Sequence, residues 1–137
     1  MTWPVAGSPE LTMLAATLVL AFVSIFPPAH GRTKANGLKW NAGPRDVTPN
    51  APDLVTERLA RAQANLMETL PLFVGAVLIA VVADKTGPLT FWGTQAFFWA
   101  RLAYIPLYAA GVPYVRGVVW MAAMLGFLAV VAALFLP

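Results

Sequence analysis

From Leu72 to Ala83 the chain carries no polar side chain, so a helix built from this run is too apolar on every face to meet water. A bilayer core of about 30 Å needs about 20 apolar residues per helical span, and backbone inside it must satisfy its own hydrogen bonds. The run therefore fixes the environment before it fixes the fold. Just upstream lies Glu57 to Pro71, where charge and apolar sequence share one helix. At about 100° per residue, Glu57, Arg61, Asn65, Glu68 and Leu72 fall within an arc of about 80°. One stripe thus carries a carboxylate, a guanidinium, an amide and a second carboxylate, while Gln63 points to the opposite side.

Composition extends this reading to the whole chain. Of 137 residues, 59% are hydrophobic and only 11% charged, against roughly 25% charged in an ordinary soluble domain, and the mean hydropathy is +0.70. The length holds four spans and one substantial loop, which predicts an all-α integral membrane protein with a four-transmembrane-helix bundle of up-down topology in a single domain. There is no cysteine, so disulfides and thiolate metal sites are excluded, and any thiol chemistry must use a thiol brought by a ligand. With a single histidine, no metal site is expected. The net charge of +3 is assigned to cationic loops beside the membrane and not to nucleic-acid binding.

The predicted helices cover about 9–27, 53–83, 88–110 and 113–136 of the sequence. Ser8 supplies an N-cap for the first, with Pro9 at its first position and Glu10 in its first turn. Pro27-Pro28 is expected to close that helix, and residues 28–52 to form a long cytoplasmic loop. This loop is rich in Pro, Gly and Asn and holds His30, Arg32, Lys34, Lys39 and Arg45. A loop of that length either folds over something or lies as a basic surface segment with Trp40 at the interface. Asp53 caps the second helix. The cationic bias of the first loop puts it on the cytoplasmic side and both termini on the other. No internal repeat is evident, which counts against an inverted-repeat transporter.

Charges at membrane depth are retained where they have partners or face water. Arg61 and Glu68 on the second helix, Arg101 on the third and Arg116 at the start of the fourth are such charges. Phe97, Arg101, Tyr104 and Tyr108 share a stripe on the third helix. Three of the four charges are cationic, and Glu68 neutralises only one. A dry bundle does not hold that surplus, so the pocket calls for an anionic guest or a path to water. The plainer reading has Arg61 paired along its helix with Glu57 and Glu68 and Arg101 snorkelling to the interface. The convergence of two polar stripes with Arg116 favours a ligand site.

The pattern Arg61-Ala-Gln63-Ala-Asn65-x-x-Glu68-x-x-Pro71 resembles the second-helix signature of the membrane-associated proteins in eicosanoid and glutathione metabolism, the MAPEG superfamily. The run Trp99-Ala-Arg101-Leu-Ala-Tyr104-x-x-x-Tyr108, followed by Arg116, is similar to the third and fourth helices of that family. Thr69 departs from it, standing where some relatives carry an aromatic. The resemblance spans nearly the whole chain and looks like a bacterial-type microsomal glutathione transferase-like member. It implies a glutathione-dependent transferase or peroxidase, a homotrimer in a bacterial inner membrane, with glutathione as co-substrate between protomers near the cytoplasmic face and a lipophilic electrophile arriving from the lipid. Carried over by position, it makes Arg61, Asn65, Glu68, Arg101, Tyr104 and Tyr108 the tripeptide-binding set, and Arg116 the catalytic group that stabilises the thiolate. Gln63 and Arg32 would then serve the neighbouring protomer's site. The alternatives are a membrane scaffold or lipid-binding protein that keeps the family fold without catalysis, and a small-molecule transporter.

Overall fold

The computed structural model describes residues 2–137, which fold into six helices: α1 (Pro9–Val23), α2 (Phe26–Asn36), α3 (Leu38–Ala42), α4 (Leu54–Val82), α5 (Pro88–Ala109) and α6 (Val115–Phe135). At the N-terminus of α1 the Ser8 hydroxyl accepts the Leu11 N–H at 3.2 Å, with Pro9 in the first turn. Asp53 does the same for α4, its carboxylate accepting the Thr56 N–H at 3.0 Å. Both caps fill donors that a helix start otherwise leaves without a partner.

The region expected to be loop, residues 28–52, is helical in two places. Pro27 and Pro28 do not end a helix; they stand in the first turn of α2, where a missing N–H breaks no intrahelical bond. The break in regular helix lies instead at the turn of Ser24 and Ile25, between α1 and α2. Gly37, at φ 90, then separates α2 from α3 in a conformation that favours glycine. The remainder folds back on this pair. Trp40 Nε1 donates to the Val47 carbonyl at 2.8 Å, and Asn50 N–H donates to Asn36 Oδ1 at 2.9 Å. The last helix also begins later than Pro113, because Tyr114 sits at φ 60 and only Val115 enters the helix.

Among the described residues, three stretches are long and apolar enough to cross a bilayer: Pro9–Asn36, which joins α1 and α2, then α4, and then α6. The fourth long helix, α5, is interrupted by Gln95 and Arg101 and is not among them. It lies at the centre of the packing, against α6 above all and also against α1 and α4. The core gathers around Phe73 of α4 stacked on Phe97 of α5, with ring centres 4.0 Å apart, and includes Val77, Ala123 and Val130. At the end of the bundle that carries the N-terminus of α1, the buried Glu10 carboxylate accepts from the Thr90 hydroxyl at 2.7 Å. Nearby, Lys85 Nζ donates to the Leu136 carbonyl at 2.7 Å.

Helices α5 and α6 touch backbone to backbone at Gly93 and Gly126. A Cβ on Gly126 would lie 2.6 Å from the Gly93 carbonyl oxygen, and one on Gly93 would lie 2.7 Å from the Gly126 oxygen. No side chain can yield there, so the helices themselves must separate. Gly126→Ala is expected to cost about 1–3 kcal/mol, measured as a lowered Tm of the detergent-solubilised protein.

Candidate functional site

The first turns of α4, the second half of α5 and the start of α6 meet at the opposite end of the bundle. At 1.5 Å per residue α4 is about 44 Å long, more than a bilayer core is thick, so its polar first turns can lie toward the membrane surface while Leu72 to Ala83 remain in the apolar layer.

Arg101 is the largest fully buried side chain in the protein, 1% exposed. Its Nη1 donates to Asn65 Oδ1 at 2.8 Å, and the same amide oxygen accepts from Trp120 Nε1 at 3.0 Å. One residue from each of α4, α5 and α6 thus joins through a single acceptor with two lone pairs. The guanidinium also lies 4.8 Å from the centre of the Tyr104 ring, close enough for a cation–π attraction. Its Nε and Nη2 have no hydrogen-bond partner among the described residues.

Tyr108, one turn beyond Tyr104 and packed edge-on against it at 5.5 Å, gathers two further cations. Arg61 Nε donates to the Tyr108 hydroxyl at 3.2 Å, and the Arg116 guanidinium lies 4.4 Å from the ring centre. These groups border a cavity of about 270 Å³ whose wall also includes Asn65, Gly117 and Trp120. An adjoining cavity of about 220 Å³ shares Arg61, Tyr108 and Arg116 and adds Arg58. Arg58 Nη1 reaches the Ala109 carbonyl at 3.4 Å, at the C-terminal end of α5, where a cation suits the helix dipole. Its guanidinium fills the space that a side chain on Gly111, φ +72, would need.

Six of the expected site residues therefore come together: Arg61, Asn65, Arg101, Tyr104, Tyr108 and Arg116. Arg101 joins the group through Asn65 and Tyr104 without lining either cavity, and the other three expected residues lie outside both. Glu68 is exposed on α4, Gln63 is half-buried on another face of that helix, and Arg32 is exposed on α2. Arg58 and Trp120 are additions that helical spacing could have supplied, since Arg58 is three residues before Arg61 and Trp120 four after Arg116. Neither cavity is lined by an aspartate or glutamate. The arginines meet tyrosine rings, a tyrosine hydroxyl and an amide oxygen, which leaves the site cationic and able to receive an anion.

A helical membrane protein with a cationic, tyrosine-lined cavity at one end of its bundle is the class that this geometry defines. The model of the MAPEG family matches residues 10–136, nearly the whole chain, and the protein belongs to that family. The family includes glutathione transferases and related proteins. Comparison with curated proteins and with solved structures gave no match.

The shared acceptor makes a specific demand on residue 65. Asn65→Ala would leave the buried Arg101 without the hydrogen bond it makes there, at a cost of about 3 kcal/mol. Asn65→Asp, which keeps an acceptor and adds charge, is expected to retain most of the stability. Tm values of the two variants against the parent protein check this.

Proposed function

We propose that the protein is a glutathione-dependent transferase that joins the tripeptide's thiolate to lipophilic electrophiles at the membrane. The observation that carries the reading is the excess of guanidinium groups, Arg58, Arg61 and Arg116 around two adjoining cavities with Arg101 buried beside them and no carboxylate in either wall. Glutathione carries two carboxylates and one ammonium. Guanidinium forks complement carboxylates by paired, charge-assisted hydrogen bonds. Asn65, Tyr104 and Tyr108 add neutral donors and acceptors along the peptide.

Arg116 takes the catalytic role. A free thiol titrates near 8.5, and a neighbouring guanidinium favours the ionised, nucleophilic form. Arg116 stands in the first turn of α6, so the positive end of the helix dipole adds to its field. The thiolate sulfur then attacks the electrophilic carbon of the second substrate, and the leaving group departs with the bonding pair.

In this reading α5 is the fourth transmembrane span, with its polar stripe turned to the cavity, and the cationic α2–α3 segment lies on the cytoplasmic side. The protein assembles as a homotrimer. Glu68, Gln63 and Arg32 lie outside their own protomer's cavities and are available to a neighbour's, Glu68 to hold the tripeptide ammonium and the other two to meet its polar groups. The electrophile approaches through lipid while the tripeptide enters from water, which gives the enzyme reason to sit at that boundary.

Purified protein is expected to bind glutathione and to conjugate it to a chromogenic aryl halide. Arg116→Ala should lower kcat about a hundredfold, the scale seen when one group stabilising a developing anion is removed, while calorimetry still detects glutathione binding. Parent protein that neither binds glutathione nor conjugates it would overturn the proposal.

A further inference from the structure

A second pair of cavities lies away from the arginine cluster and carries an independent inference. Between the C-terminal half of α1 and the outer face of α5 runs an apolar groove of about 460 Å³, walled by Leu20, Val23, Trp99, Leu102, Ile105 and Pro106. Leu102 and Trp99 are exposed along it. Pro27, one of its wall residues, also borders a cavity of about 470 Å³, of mixed apolar and polar lining, between α2 and the first turns of α4. That second cavity is lined by His30, Lys34, Asp53 and Thr56. An apolar channel and a chamber that carries polar groups therefore share a wall residue, Pro27, at the point where α1 gives way to α2.

We propose that the groove and the chamber together hold one anionic phospholipid, an acyl chain lying along α1 and α5 and the phosphate resting at Lys34 and His30. The depths match. Lys34 lies seven residues beyond Pro27, about 10 Å along a helix, on the scale of the interfacial layer of about 5–8 Å into which a lysine extends its stem. The charge also matches, because α2 presents His30, Arg32 and Lys34 without an acidic residue of its own, and basic pockets between membrane helices favour anionic headgroups. Asp53 is the one carboxylate in the chamber. It is already engaged as the cap of α4, and hydrogen bonds from Thr56, aided by Lys34, hold it below the usual carboxylate range. Close packing of α2 on α4 keeps the chamber's walls in place, since a side chain at Gly31 would collide with Thr56.

The test uses the delipidated full-length protein in neutral detergent, with native mass spectrometry to count bound lipid and subunits. Phosphatidylglycerol is expected to bind about fivefold more tightly than phosphatidylcholine of the same chains, the scale of one lysine at a membrane surface. The double variant His30→Gln/Lys34→Gln should abolish that preference, and Ile105→Trp, which fills the groove, should reduce binding of both lipids. Should Ile105→Trp lower the Tm of lipid-free protein, Leu102→Trp makes the same measurement. Equal binding of the two lipids overturns the proposal, as does a preference that survives the double variant. So does inorganic phosphate occupying the chamber regardless of the groove variants. Absence of lipid together with loss of oligomer in Ile105→Trp would assign the groove to a second copy of the chain and would overturn it as well.

Discussion

Much of this structure depends on the placement of one guanidinium. Arg101 is buried in the middle of the bundle with a single amide oxygen to receive it, and that oxygen belongs to Asn65 on another helix. A charge in an apolar interior is tolerated only with a partner, so α4 and α5 are held in one register by the need to bring that pair together. Trp120 adds α6 to the same acceptor. The cavity is what remains between three helices fixed in this way, and its other cations gather on the tyrosines that follow Arg101 along α5.

The aromatic rings give the site its character. A carboxylate beside each arginine would have neutralised the pocket and closed it to an anionic guest. The Tyr104 and Tyr108 rings attract the guanidinium groups through their faces but carry no net charge. The cluster is thus stabilised without losing its positive potential. The cost is residual, visible in the two buried nitrogens of Arg101 that have no partner among the described residues.

The sequence showed most of this because its signals were periodic. The Arg61, Asn65 and Arg101, Tyr104, Tyr108 stripes follow from helical geometry alone, and the apolar run after Pro71 leaves no other environment for α4. What escaped had no periodic signature. Pro27-Pro28 has the same composition whether it ends one helix or opens the next, and only the turn at Ser24 and Ile25 decides between them. Gly37 and the mutual hydrogen bonds of Asn36 and Asn50 depend on residues distant in sequence. Arg58 was legible in its spacing, yet its role against Ala109 depends on where α5 stops. Helical spacing put Gln63 on the opposite face of α4, but it also put Glu68 on the stripe of Arg61 and Asn65, and the place of Glu68 outside both cavities is beyond a reading of one helix at a time.

The contact between Gly93 and Gly126 bears on the width of the cavity. It pins α5 to α6 at one level, and Tyr108 lies fifteen residues farther along α5, about 22 Å away. The two helices are tied again on the way, where Arg101 of α5 and Trp120 of α6 share the Asn65 oxygen, so the spacing set at the glycines is carried toward the tyrosine end. A tilt of about 5° at the glycines would move the tyrosine end by about 2 Å, enough to admit or exclude a layer of water. The smallest residues in the bundle thereby set the aperture of its most highly charged space.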